Sequence, residues 1–349
     1  MAVSVALIAA TAAATPGAQP GLVTGPGWRA AKNLPGLVPR GPIADTGCLS
    51  LGSVPGKGTR WEKMGRTALL DLHQLSRQSG AVAAGAGGRW NYAWPRDTAF
   101  VAVALARTGH HTEALQALTF LQRVQLGDGG FEARYLLDGS GPPDDRARQS
   151  DGAGWVLWAA WEVSRSSGDV GAPAPLRSLL DNATGFARAA TNNGRQLPPA
   201  SPDYWEVGVG RTSLGTVAPL LAGLQASQKM YGALGERALA ERSGAAALRL
   251  RTIVGERFAD GWERFGSGGR PEISAHWMDW LNDHRTPWGS LPEKVLATGA
   301  TAGSAPLAWT AARVVLTTAE LETHEPSPNR ALLPGAGGSV SGLSTAESA

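Results

Sequence analysis

Two carboxylic acids, each beside tryptophan in a proline-flanked loop, are the residues of this sequence best placed to move a proton. Glu206 ends the run Ser201-Pro202-Asp203-Tyr204-Trp205-Glu206, after a Pro-Pro turn and before a predicted helix starting near Arg211. A carboxyl held against Trp205 and Tyr204 is partly desolvated, which raises a carboxylic acid's pKa towards the range a general acid needs near neutral pH. Glu293 lies in Pro287-Trp288-Gly289-Ser290-Leu291-Pro292-Glu293-Lys294, beside Trp288. Singly, each has an ordinary reading. Glu206 fits a surface position, and Glu293 fits a pair with Lys294 or a place near a helix end. Together, from distant parts of the chain, they match what glycosidic bond cleavage requires: one acid protonates the leaving oxygen while the other carboxylate activates water on the opposite face. Carboxyl groups about 6.5–9.5 Å apart imply inversion, and a gap near roughly 5 Å implies retention.

The densest polar-aromatic cluster is Arg89-Trp90-Asn91-Tyr92-Ala93-Trp94-Pro95-Arg96-Asp97. Pro95 can open a helix, and Asp97 is then favourable in its first turn. The same pair, Arg96 and Asp97, can grip vicinal sugar hydroxyls, the carboxylate accepting and the guanidinium donating in a fixed fork. Trp90 and Trp94 would flank the ring, with Tyr92 between them. Asp151, in Gln149-Ser150-Asp151-Gly152, precedes a helix carrying Trp155, Trp158 and Trp161 and fits either a cap or the substrate site. Tryptophans at that spacing belong to a core more often than to a site.

The elements that must position these loops read as helix after helix, with almost no alternating strand pattern. The candidates are 60–79, 96–108, 112–125, 151–167, 174–193, 211–232, 235–258, 272–284 and 303–322. Thr108-Gly109-His110-His111 joins one pair, with Thr112 as the expected N-cap and Glu113 in the first turn. Another break is expected at Tyr231-Gly232, with Gly235 and Glu236 opening the next helix. Antiparallel helix pairs alternating with long Trp/Gly/Asp loops predict an all-α, closed ring of helical hairpins whose loops build a pocket at one end. No fixed period supports a solenoid.

Composition fits that reading. Of 349 residues, 43% are hydrophobic and 17% charged, as in a folded globular chain. A net charge of +3, from scattered and mostly Arg residues, argues against a nucleic-acid partner, whose binders concentrate basic charge on one face. Thirteen Trp against four Tyr and six Phe suit a site that must lie against a sugar's apolar face. One cysteine, Cys48, excludes an internal disulfide framework, and the six histidines form no pair at ligand spacing, so no metal and no cofactor are expected. Residues 2–14 form an apolar stretch like a secretory signal, without a basic leader because no Lys or Arg precedes Arg29. The stretch is too short for a stable membrane span, and the expected location is extracellular or the cell envelope, or the cytoplasm if it is no signal. Residues 1–57 read as this segment plus a Pro/Gly-rich arm, 58–324 as the helical toroid and 325–349 as a flexible tail. The oligomeric state is left open.

Five segments, in order, make the chain resemble the glucoamylase-type family, glycoside hydrolase family 15, which also contains bacterial trehalases and glucodextranases. They are WNYAWPRD (90–97), GGFEARYLLDGSG (129–141) with RQSDGAG (148–154), DYWE (203–206), GSLPEKV (289–295) and PLAWTAARVV (306–315). The resemblance covers about residues 60–322. It implies an (α/α)6 toroid and exo-acting, inverting hydrolysis of α-linked glucosides, with Glu206 as general acid and Glu293 as general base. It also implies that Arg96 and Asp97 bind the terminal sugar, and that Trp205 and Trp309 line the same pocket. Family barrels use twelve helices, whereas about nine are legible here, and the shortfall lies near residues 269–281. An incomplete ring would expose an apolar flank and invite dimerisation or instability. A non-catalytic carbohydrate-binding protein that keeps the pocket is the first alternative. A helical-toroid polysaccharide lyase, which would need Tyr92 or Tyr204 paired with His or Asn, is the second.

Overall fold

The structure, a computed structural model, describes residues 49–168, 174–258, 274–286, 289–295 and 299–324. The signal-like segment, most of the Pro/Gly-rich arm, Cys48, residues 259–273, Trp288 and the tail from 325 lie outside the described residues. Nine helices occur among those described: α1 Glu62–Leu75, α2 Pro95–Arg107, α3 His111–Val124, α4 Asp151–Ser167, α5 Arg177–Ala190, α6 Leu214–Ala233, α7 Arg237–Phe258, α8 Ser274–Asp283 and α9 Ala308–His324. The all-α expectation holds. Among the described residues the one ladder is a two-residue antiparallel pair, β1 Lys294–Val295 against β2 Thr301–Ala302. No helix among the described residues is long and apolar enough to cross a membrane.

Burial sorts the helices into two layers. Every residue of α2 from Pro95 to Ala106 is buried, which requires neighbours all round. In α7 the buried residues Ser243, Ala246, Ala247, Leu250, Val254 and Phe258 recur at three or four and form one stripe. Packing follows this division. An inner series runs α9–α2–α4–α6, and α1, α3, α5 and α7 lie against it from outside. Glycine sets the closest crossing. A Cβ on Gly154 of α4 would fall 2.2 Å from the Pro219 carbonyl carbon of α6, and one on Gly223 would fall 2.9 Å from Gly154 Cα. The two backbones therefore touch, side chains aside. At the next seam, Phe100 of α2 meets Trp155 and Trp158 of α4 at ring distances of 4.8 and 5.0 Å. Those two tryptophans are packing residues.

Helix ends differ from expectation in instructive ways. Pro95 does open α2, with Asp97 in its first turn. Thr108 closes α2 by returning its hydroxyl to Ala104 at 2.9 Å, and Gly109 turns at φ +87. The next helix is capped at His110, not Thr112, with no side-chain cap bond. His110 Nδ1 instead lies 3.0 Å from the Thr108 hydroxyl, so the link is held from within. The helix expected from 211 starts at Leu214, because the preceding residues serve the Glu206 loop, and it runs past Tyr231-Gly232 to Ala233, carrying Pro219 inside it. Gly235, at φ +76, then makes the turn into α7.

Candidate active site

The loop that carries Glu206 is built on Asp203. This carboxylate is fully buried; it accepts the Trp205 N–H at 3.0 Å through Oδ1 and the Ser213 hydroxyl at 2.6 Å through Oδ2. The Asp203 carbonyl accepts the Glu206 N–H at 2.8 Å. A Pro-Asp pair folding the chain back onto its own carboxylate is an Asx-type turn. The turn delivers Glu206 in the left-handed region, φ +55, which a side chain bearing Cβ adopts only at a cost. Strained backbone of this kind concentrates at functional positions.

The Glu206 carboxylate is met from three sides. Trp94 donates its indole N–H to Oε1, Gln149 donates to the same oxygen at 3.3 Å, and Arg146 donates to Oε2. Arg96 Nη2 stands 3.8 Å from Oε1. With Trp90 and Arg134, the residues Trp94, Arg146 and Glu206 line an open cleft of about 150 Å³. That is below the range of roughly 300–1,000 Å³ for small-molecule sites, so the cleft is narrow while Arg146 is paired with Glu206. Trp90 and Trp94 lie 5.6 Å apart by ring centre, so one wall is aromatic. Arg134 stacks on Tyr92 at 4.5 Å and on Trp94 at 5.0 Å, and it is fixed by Asp144.

Next to Glu206 lies a buried charge cluster. Arg96 Nη1 donates to Gln149 at 2.8 Å and to Asp151 at 3.2 Å, its Nε lies 3.5 Å from Asp97, and Trp309 faces it at 5.3 Å. Burial alone would lower the Arg96 pKa, but the carboxylates of Asp151, Asp97 and Glu206 outweigh it and raise it. Burial pushes Asp97 up to about 6 against the pull of Arg96, and burial likewise raises Asp151. Asp97 Oδ2 is buried and accepts no hydrogen bond. Its near neighbour is Arg96 Nε at 3.5 Å. Trp205 and Trp309 both pack on Tyr204, each at 5.9 Å, which places them behind the Glu206 loop.

Glu293 sits at the edge of the short ladder. Its N–H donates to the Ser304 carbonyl at 2.8 Å, and its Oε2 accepts the Ser304 N–H at 3.3 Å. Gly303 (φ +80) allows this fold, since a Cβ there would fall 2.4 Å from Glu293 Oε2. Ser304 in turn meets Gly85, whose missing side chain would strike Ser304 Oγ at 2.3 Å and Trp90 Cβ at 3.0 Å. Glu293 is thus linked through Ser304 and Gly85 to the backbone beside Trp90, and it is not among the residues that line the cleft. Its loop is tied to α1 by the Ser290 hydroxyl, which donates to Asp71 at 3.0 Å.

Of the residues singled out in the sequence, Trp90, Trp94 and Glu206 line the cleft; Arg96, Asp97 and Asp151 form the buried cluster next to Glu206, Trp309 faces Arg96, Tyr92 packs on Trp94, Trp205 packs on Tyr204, and Glu293 lies on Ser304 outside the lining. Sequence reasoning missed Arg146, Arg134 and Asp144, and gave no role to Gln149 or Asp203. The Pro-Asp turn was a usable signal for Asp203; nothing local marks Arg146, which is 60 residues from its partner. Among the described residues no group of three His, Cys, Asp or Glu side chains could hold a metal ion.

No family model matches the chain. It is 26% identical over 209 residues to an uncharacterized glycosyl hydrolase of Methanocaldococcus jannaschii, a match covering 59% of this chain and 33% of that protein. The chain thus spans about a third of the curated relative it matches. Among solved structures it is similar to a glycosidase in complex with glucose, with a TM-score of 0.61 at 17% identity, over 74% of this chain and 96% of that one. A bacterial glucoamylase complexed with acarbose gives a TM-score of 0.61 at 14% identity, over 80% of this chain and 58% of that one. At these identities the likeness establishes the fold, that of the helical-hairpin glycosidases.

Proposed function

We propose that the chain is a glycosidase of the glucoamylase type, inverting and exo-acting on α-linked glucosides, with Glu206 as general acid and Glu293 as general base. The observation that carries this reading is the presentation of Glu206. A strained turn projects its carboxylate into an aromatic-walled cleft, next to a buried Arg96–Asp97 pair. A terminal glucose would stack on Trp90 and Trp94, give a hydroxyl to Asp97 and take donors from Arg96. Glu206 would then protonate the glycosidic oxygen, and Glu293 would draw a proton from the attacking water. The resemblance of the five motifs to glycoside hydrolase family 15 and the likeness to a glucoamylase fold support the same assignment. All of the chemistry lies in carboxyl groups, and no cofactor enters it.

Glu206→Gln and Glu293→Gln test the assignment. Each should lose at least about 10²-fold in kcat on maltose, trehalose, isomaltose or starch, the scale of a positioned acid or base, with an unchanged circular dichroism spectrum. NMR of the first-formed product should show inverted anomeric configuration. Full turnover in either variant removes that residue from the chemistry. Saccharide binding without hydrolysis in the unaltered protein marks a binding protein instead.

A further inference from the structure

The Glu206 carboxylate is paired on both oxygens. Its Oε1 is held by Trp94 and Gln149, with Arg96 nearby, and all three of these side chains are buried. Its Oε2 faces the other way and is taken by Arg146 alone among the bonds described. Arg146 differs from the other three. Its side chain is 37% exposed, it lies in the non-helical stretch between Gly141 and α4, and its Nε bonds Asp144 at 3.3 Å, the same carboxylate that fixes Arg134. Arg134–Asp144–Arg146–Glu206 therefore forms a run of alternating charge along the cleft wall, and its last link can open without disturbing the buried cluster.

We propose that Arg146 is a specificity-determining gate on the leaving-group side of Glu206: it covers Oε2 in the empty site, and a substrate is admitted only by displacing it onto Asp144. The role of Glu206 as acid comes from the reading above, but the pairing itself does not depend on it. Once the guanidinium leaves, Glu206 takes up a proton from solvent at Oε2, the oxygen the gate uncovers, and gives it to the glycosidic oxygen as the bond to the leaving group breaks. Leaving groups with a hydroxyl that can donate to Oε2 in place of the guanidinium compete with the gate, and aglycones without one do not. The three buried contacts keep Glu206 in place while the gate is open.

Two measurements separate this proposal from the functional reading. Carbodiimide coupling of glycine ethyl ester, located by peptide mass spectrometry, reports the accessibility of Glu206 without any sugar. Labelling of Glu206 should be low in the unaltered protein, rise several-fold in Arg146→Ala, and stay low in Arg146→Lys, which keeps the charge. In the unaltered protein it should also rise with added sodium chloride, since half-exposed ion pairs are screened. On maltose, Arg146→Ala should lower KM by about two- to fivefold, the worth of one exposed ion pair, and flatten its salt dependence while kcat changes less. Equal labelling in all three proteins overturns the gate. So does an Arg146→Ala KM that is unchanged and still varies with salt. If labelling responds as stated while no α-glucoside is turned over, the gate stands and the glycosidase reading fails.

Discussion

At the residue scale the site is organised around strain. Glu206 adopts φ +55, a region where a Cβ crowds the following carbonyl and costs about 1–2 kcal/mol. The cost is met by the bonds from Asp203, which leave the turn no other shape. Glu206→Gly and Glu206→Ala delete the same carboxylate contacts to Trp94, Gln149, Arg96 and Arg146, so their difference isolates the backbone. Urea denaturation should find the glycine variant about 1 kcal/mol more stable than the alanine variant, although glycine is normally the less favourable choice. The reverse order would mean that the turn is relaxed. Much of this site was legible as sequence because its parts are contiguous: Trp94 caps α2 and Arg96 and Asp97 lie in its first turn, and Trp205 precedes Glu206. Arg146 was not. An ion pair between a coil and a turn 60 residues away leaves no periodicity and no spacing to read.

At the element scale the sequence was most informative where burial imposes a period. All nine helices stand near their expected spans, since an amphipathic stripe such as that of α7 shows its 3.6-residue repeat directly. Helix ends were less legible, because closure at Thr108 and His110 depends on a hydroxyl and an imidazole finding each other, which no capping pattern encodes. The α4–α6 crossing was silent in the sequence for another reason: a glycine inside a helix looks like a weakness until its neighbour is known. Gly154→Ala would push a methyl to 2.2 Å from the Pro219 carbonyl carbon, and backbone cannot yield as a side chain does. Expected destabilisation is about 3 kcal/mol, the upper range for overpacking. Activity should fall as well, because α4 begins with Asp151 and α6 follows the Glu206 loop. Gly255→Ala in α7 is the control. Its Cβ meets nothing within 4 Å, so it should gain up to about 1 kcal/mol from helix propensity. Denaturation midpoints measure both, and a harmless Gly154→Ala would show that the two helices can part freely.

At the scale of the whole molecule, buried carboxyls tie the fold to pH. Asp71, on α1, is 3% exposed, and burial pushes it up to about 8 while the Ser290 hydroxyl pulls the other way. Burial pushes Asp97 up to about 6, and raises Asp151 too. For a carboxyl raised above its unfolded value near 3.8, stability is complete below that value, where both states hold the proton. It is lost as pH rises, because the unfolded chain ionises first, and the loss is finished above the folded pKa. Asp97 is spent by about pH 6, whereas Asp71 keeps titrating to about 8. Asp71→Asn preserves an acceptor for Ser290 and cannot ionise. Its unfolding free energy should therefore gain on that of the unaltered protein from pH 4 to 8, at no more than about 1.4 kcal/mol per pH unit, and hold level above that. Guanidinium denaturation at one-unit steps gives both curves. Parallel curves would mean that Asp71 titrates as it does in the unfolded chain. A rising difference would identify it as the residue through which α1, and with it the Ser290 loop that carries Glu293, senses alkali.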